Sequence, residues 1–346
     1  MLLVLAMAAA LLGIGAALKT PYRLRAGMIG LLWGAVVLLQ LALPDGHGLR
    51  AATGGSAAPW LLLGGFAVLV LLYREGLKWA RNRAQPEPEP EQKPKGSFTE
   101  TELNRYARHI VLREIGGLGQ KKLKNAKVLV IGAGGLGSPA LLYLAAAGVG
   151  TIGVIDDDEV DNSNLQRQVI HGDADIGTAK VFSAKAAMEA QNPFVTVLPY
   201  KRRLEEDVAE DLFAEYDLVL DGTDNFTTRY LSNATAVKLG KPLISGALSQ
   251  WEGQLSVFDP ATSGPCYQCI FPEAPAPGLA PSCAEAGVIA PLPGVLGTMM
   301  AVEAVKVITG AGAALRGEML IYDALWAETR KIALKKRDDC PVCGAH

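Results

Sequence analysis

The sequence predicts a doubly wound, mostly parallel α/β sheet with an antiparallel C-terminal extension, preceded by about three transmembrane helices. Three observations carry this. Apolar runs with no polar face fill the first 73 residues, short apolar strands alternate with helical patterns after residue 98, and a glycine-rich turn joins the first of those strands to a helix. Half of the 346 residues are apolar, enough for a sizeable core.

Residues 1–83 read as a transmembrane region, with spans at about 1–18, 26–43 and 57–73. Met1–Leu18 and Ala57–Tyr73 carry no charged side chain, and Gln40 is the only strongly polar residue of Ala26–Leu43. Each run approaches the roughly 18–20 residues a helix needs to cross the hydrocarbon core. The first lacks the basic leader of a cleaved signal peptide. Residues 84–97, in which 86–91 alternate Pro and Glu that neither pack nor form helix, read as an extended linker.

The soluble domain follows at 98–346. Thr99 and Glu102 make a capping box that opens a helix through about Arg113, ended by Gly116 and Gly117. Strands are expected at Lys127–Ile131, Thr151–Asp156, Val195–Tyr200, Asp217–Asp221 and Pro242–Gly246, and helices near Gly135–Ala147, Thr178–Gln191 and Asn225–Leu239. Gln250–Asp259 and Met319–Lys335 suggest the antiparallel extension, separated by a helix near Val295–Thr309. A net charge of −2, mixed in sign, leaves no footprint for nucleic acid.

Chemistry concentrates at the strand ends. Gly132-Ala-Gly134-Gly135-Leu-Gly137 follows a strand and opens a helix, so backbone amides can hold phosphate at a helix N-terminus. Asp156 ends the next strand, where a carboxylate can accept both ribose hydroxyls. This Rossmann-like pair fits a nicotinamide-dependent oxidoreductase equally well. Arg167 and Lys180, on segments leaving the same edge, could neutralise a triphosphate, and Asp221 and Asp224 could hold Mg²⁺ on its oxygens, which suits ATP chemistry better than hydride transfer. Four of five cysteines form Cys266-x-x-Cys269 and Cys340-x-x-Cys343, four thiolates able to close a structural Zn²⁺ site in a reducing compartment.

Arg105-Tyr-Ala-Arg108, the glycine loop, Asn164-Leu-Gln-Arg167-Gln168, Asp221-Gly-Thr-Asp224-Asn225 with Arg229, Cys283-Ala-Glu-Ala-Gly287 and the paired cysteine motifs resemble the MoeB/ThiF/HesA family of ubiquitin-activating-type adenylyltransferases, from about Arg105 to Gly344. The resemblance implies ATP-dependent adenylylation of the C-terminal Gly carboxylate of a ubiquitin-like sulfur-carrier protein by a homodimer. By position it implies nucleotide contacts at Gly135, Asp156, Asn164 and Asn225, phosphate contacts at Arg167 and Lys180, and a magnesium-associated acid at Asp224. Arg108 would enter the partner subunit's ATP site, and Cys283 could form a covalent adduct with the activated carrier. The chain runs three residues past Cys343, so a separate protein is expected to donate sulfur. Carriers of the molybdopterin and thiamine pathways both remain open, as does a non-catalytic membrane scaffold.

Charge orients the spans. Lys19–Arg25 carries three basic residues, and the segment after Tyr73 carries Arg74, Lys78, Arg81 and Arg83 against Glu75. Basic loops stay inside, which places the protein in the inner, cytoplasmic membrane as a multi-pass protein with its catalytic domain in the cytosol and its N-terminus outside. Reporter fusions active only outside the cytosol should be active when joined near residue 50 and silent when joined after residue 90, and the reverse pattern would overturn the orientation.

Overall fold

The computed structural model describes residues 2–18, 20–84, 98–276 and 283–344, and the chain divides into two compact units, 1–92 and 93–346. The first unit holds helices α1 (Leu2–Ala17), α2 (Tyr22–Ala42), α3 (Gly48–Ala52) and α4 (Ala58–Ala84). Val4, Val36, Val37 and Trp60 form a small core, while Leu31, Leu38, Leu62, Phe66, Leu69 and Leu72 are exposed. Within α2 and α4, Leu24–Ala42 and Ala58–Leu77 are long and apolar enough to cross a membrane. The expected span at 1–18 is helical but shorter. Its 16 residues at about 1.5 Å each reach about 24 Å, against about 30 Å of hydrocarbon.

Gln40 is buried in this unit because the connector after α2 folds back over it. Its amide donates to Thr53 Oγ1 (2.7 Å) and Arg50 O (3.0 Å), and the Trp60 indole donates to Thr53 O (2.9 Å). The linker expected at 84–97 lies, beyond Ala84, outside the described residues.

In the second unit the capping box forms as expected and opens α5 (Glu100–Arg105), with Glu102 N donating to Thr99 Oγ1 and Thr99 N to the Glu102 carboxylate. The helix does not continue to Arg113. It breaks at Tyr106, whose hydroxyl turns inward to accept from Asn192 (2.8 Å), and resumes as α6 (Ala107–Ile110). Gly116, expected to end a helix, instead begins one: at φ +59° it turns the chain into α7 (Gly116–Asn125), which buries Gln120 and Leu123.

The alternating part follows the expected order: β1 (Lys127–Ile131), α8 (Gly137–Ala147), β2 (Thr151–Ile155), α9 (Lys180–Gln191), β3 (Thr196–Tyr200), α10 (Glu206–Ala214), β4 (Leu218–Asp221), α11 (Phe226–Leu239) and β5 (Leu243–Ser249). Helix α10 is an addition to the sequence reading, its inner face made by Ala209 and Phe213. Then come β6 (Glu252–Phe258), α12 (Tyr267–Ile270), α13 (Cys283–Ala286), α14 (Pro291–Thr309), β7 (Glu318–Asp323) and β8 (Glu328–Ala333). The sheet order is β3-β2-β1-β4-β5-β6-β7-β8, parallel through β5 and antiparallel beyond. Val128, Leu129 and Val130 are fully buried, as a strand covered on both faces requires.

Register positions the site. Ile131 pairs with Ile155 on one side and Asp221 on the other, so Gly132, Asp156 and Gly222 leave the sheet at one level. Strand order reverses between β1 and β4, and such a switch point opens a crevice beyond the C-terminal strand ends.

The loop from β1 to α8 is held from below by His171, which is 7% exposed. Its Nε2 donates to Ala133 O (3.0 Å), and its Nδ1 faces Ser183 Oγ (2.8 Å), a hydroxyl shared with the Asp175 carboxylate (2.9 Å). Burial holds the imidazole below its ordinary pKa, with Lys180 adding to the effect and Asp175 and Asp156 opposing it. The unfolded chain therefore takes up a proton near pH 6.5 that the folded chain resists, and stability falls as pH drops below that value, by at most about 1.4 kcal/mol per pH unit. Thermal unfolding between pH 7 and pH 5 should show this loss in the wild type and a shallower slope in His171→Asn. Equal slopes would remove the assignment.

Candidate nucleotide cleft and cysteine cluster

At the switch point lies a cleft of about 1110 Å³, above the roughly 300–1,000 Å³ of ordinary small-molecule sites. Gly132, Gly134, Gly135, Asp156, Arg167, Lys180, Asp224 and Asn225 line it. The remaining expected residues are placed otherwise. Gly137 is buried behind the loop, where a Cβ would stand 1.9 Å from Gly132 O, so its glycine serves close packing. Asn164 supports rather than lines, its carbonyl accepting from Arg167 N (3.1 Å) and Gln168 N (3.0 Å). Arg108 is exposed on α6 and does not line the cleft of its own chain. The Cys283 side chain lies outside the described residues, although Glu285, two positions on, borders the cleft.

Asp156 accepts from Ala133 N (2.7 Å) through one oxygen and Asp158 N (2.8 Å) through the other. Each oxygen keeps a lone pair for a further donor. Burial raises its pKa, opposed by Lys180 and by these two amides. Lys180, nearly buried, holds Asp158 Oδ2 at 2.7 Å, while Arg203 meets Asp157 at 3.4 Å. The three consecutive aspartates are therefore already matched by cations and amides. Arg167 donates to Ser163 O (3.1 Å) and is half-buried.

Asp224 is exposed at the mouth. Its loop is stiffened on both sides. Asp221 accepts from Thr223 N and Oγ1, and Asn225 caps α11 by accepting from Thr228 N (2.8 Å). The buried Arg229 guanidinium donates to Thr223 O, to Gly246 O (2.7 Å) and to Ser245 Oγ (3.1 Å), tying this loop to β5.

Several lining residues escape the sequence reading. Arg202 and Arg203 follow β3 at the same sheet edge, a position that could have flagged them. Gln168, quoted in a motif above but given no role there, lines the cleft at 4% exposure with its Oε1 unpartnered. Gln254, Ile321 and Arg330 extend the cleft over β6, β7 and β8; no local motif marks them, because three separate strands bring them together.

Cys266, Cys269, Cys340 and Cys343 converge as expected. Sulfur separations are 4.0 Å for Cys266–Cys269, 3.7 Å for Cys266–Cys340 and 3.3 Å for Cys269–Cys343, and all four lie within 4.8 Å of one another. Four thiolates bound at about 2.3 Å around a tetrahedral ion would stand about 3.8 Å apart, so the donor set and spacing fit zinc.

Residues 106–342 match the ThiF family. A sulfur carrier protein adenylyltransferase of Thermus thermophilus is 50% identical over 251 residues, covering 71% of this chain and 93% of that protein. The SAMP-activating enzyme E1 of Haloferax volcanii is 47% identical over 248 residues, covering 72% of this chain and 91% of that one. A probable adenylyltransferase/sulfurtransferase MoeZ of Mycobacterium tuberculosis is 51% identical over 251 residues, and this chain spans only 64% of its length. The crystal structure of E. coli MccB with ATP shares the fold at a TM-score of 0.61 and 24% identity, covering 72% of this chain and 77% of that one. With two thirds of its length inside the family match and half-identity to a relative covered almost end to end, this chain belongs to the ThiF family.

Proposed function

We propose that this chain is an ATP-dependent adenylyltransferase that activates the C-terminal Gly carboxylate of a ubiquitin-like sulfur-carrier protein. The observation that carries the reading is the single cleft in which Asp156, Arg167, Lys180 and Asp224 meet the glycine loop and which then continues over β6–β8. A nucleotide fills the first part, and the second has room for an extended peptide tail. The relatives named adenylyltransferases support the same chemistry.

In this reading the amides of Gly132, Gly134 and Gly135 lie against phosphate and Asp156 takes the ribose hydroxyls, with Asn225 alongside. Arg167 and Lys180 offset charge on the triphosphate. Asp224, the exposed carboxylate at the mouth, would hold Mg²⁺, which when bound spreads the charge of the departing pyrophosphate. The carrier carboxylate attacks the α-phosphorus, one P–O bond forms to it, and the bond to the β-phosphate bridge breaks with no proton transferred. Since nucleophile and phosphate are both anions, positioning and charge compensation supply the catalysis. A sulfur nucleophile would then attack the acyl carbon of the adenylate and displace AMP, or attack the thioester formed once Cys283 has done so.

The four-cysteine cluster would hold a structural zinc. The N-terminal helices would anchor the enzyme, with α2 and α4 as the firm spans and α1 crossing only where the bilayer thins. The protein would act as a homodimer, Arg108 completing the partner's site.

Pyrophosphate exchange into ATP should depend on a carrier ending in Gly-Gly, and Asp224→Ala should lower it by orders of magnitude while the thermal unfolding midpoint holds. Exchange at the wild-type rate in that variant would sink the assignment of Asp224. Arg108→Ala and Asp224→Ala chains should each be inactive alone and regain part of the activity when mixed under subunit exchange, because one composite site of the mixed dimer is intact. No recovery on mixing would argue against the role of Arg108 across the dimer.

A further inference from the structure

The zinc reading leaves one buried side chain without a task. Asn233, 1% exposed in the middle of α11, donates through Nδ2 to Cys266 Sγ (3.6 Å) and accepts through Oδ1 from Tyr267 N (2.9 Å). Its orientation follows from chemistry, since Tyr267 N can only donate and so the amide oxygen must face it. One amide therefore holds a cysteine of the cluster and the first residue of α12 together.

Tyr267 belongs to the cleft. It lines the cavity with Phe271, and its ring sits edge-on to Tyr230 (5.6 Å) and Phe258 (5.9 Å) and 4.8 Å from Phe271. One helical turn before Asn233, Arg229 holds the loop that carries Asp224. Residues four apart share a helix face, so the same stripe of α11 grips the loop at one end of the cleft and the cysteine cluster behind its wall. Tyr230, between them, donates from its hydroxyl to Phe271 O (2.9 Å).

We propose that α11 couples the cysteine cluster to the nucleotide cleft, with Asn233 as a positioning residue that orients the Cys266 sulfur and sets Tyr267 and Phe271 in the cleft wall. This rests on the zinc reading above. An N–H donor aimed at a metal-bound thiolate stabilises its charge and fixes its direction, and loss of such a partner typically costs about 10–100-fold in metal affinity. Withdrawal of the metal frees Cys266, and with it Tyr267 and the wall against which nucleotide and tail would lie.

Asn233→Asp tests this in the full chain in mild detergent. The substitution keeps an acceptor for Tyr267 N and places a carboxylate where the donor met the sulfur. Zinc affinity, read by competition with a chromophoric chelator, should fall about 10–100-fold, and the Co²⁺-substituted protein should change its thiolate charge-transfer absorption. ATP affinity should drop several-fold at zinc levels that saturate the wild type but not the variant, and excess zinc should restore it. A second measurement needs no variant: stepwise chelation of the wild type should weaken ATP binding in proportion to zinc lost. Wild-type zinc affinity and Co²⁺ spectrum in the variant would overturn the role of Asn233, and ATP binding indifferent to zinc content would overturn the coupling. A chain that binds ATP but takes up neither zinc nor Co²⁺ would remove the zinc reading and this inference together, leaving the adenylyltransferase reading intact.

Discussion

The fold of the second unit turns on a close approach of backbone to backbone. Gly137, the first residue of α8, sits where any side chain would strike Gly132 O, and Gly132 itself adopts φ +92°. Only glycines let the chain leave β1, reverse and start a helix within five residues, and that reversal aims the helix N-terminus into the crevice between β1 and β4. The next layer depends on the same compactness. Gly297 of α14 packs against Leu136 O with no room for a Cβ, so α14 presses on the start of α8. Enlarging either glycine forces the loop outward and lifts the amides away from any phosphate bound there.

The cations at the cleft are held in two different ways. Lys180 is nearly buried and needs an anion; Asp158, which supplies one, is 62% exposed in its side chain. The pair offsets the desolvation of the Lys180 ammonium while its carboxylate stays largely in water. The opposite holds for Arg229, whose guanidinium is buried and donates to two carbonyls and a hydroxyl. Removing it would strand those acceptors, each costing roughly 1–3 kcal/mol when left unpaired. The cleft thus combines a cation paired with a solvent-facing carboxylate and a cation fixed as scaffold by buried carbonyls.

How far the sequence speaks depends on whether a feature is local. The glycine loop, the Thr99–Glu102 capping box and the strands ending at Ile131, Ile155 and Asp221 rest on contiguous residues, and each appears where the pattern places it. The cysteine pairs are distant in sequence, yet their spacing is characteristic enough to foretell their convergence. Gly116 misleads because a left-handed glycine can end one helix or turn into the next, and here it leads into α7, whose Gln120 and Leu123 are buried. His171 carries no local signal either, because Ala133 and Ser183, its partners, reach it only once the sheet has formed. Arg330 and Gln254 carry no local signal at all, since register across β6, β7 and β8 is what sets them on one face.

The apolar helices carry the same point further. By length and composition α14 satisfies the same criterion for crossing a membrane as the stretches in α2 and α4. Its surroundings decide otherwise. Half of α14 is buried, with Leu292, Leu296, Met300 and Ala304 in the core of the domain and Gly297 against α8, whereas the apolar stretch of α4 is 6% buried and exposes Leu62, Phe66, Leu69 and Leu72. Small residues at 297, 301 and 304 give α14 a face that backbone can approach, and Glu303 on that helix accepts from Leu315 N (2.9 Å), a contact lipid cannot offer. The α4 stretch has no charged residue until Arg74, and beyond Trp60 and Gly64, which pack against α2, most of its apolar side chains are exposed among the described residues. Burying such a surface is worth roughly 25 cal/mol per Å², so α4, long and apolar enough and still exposed, remains a candidate to cross a membrane where α14 does not. Hydropathy says that a helix must leave water; the small residues and polar partners along its faces say whether it does so into protein or into lipid.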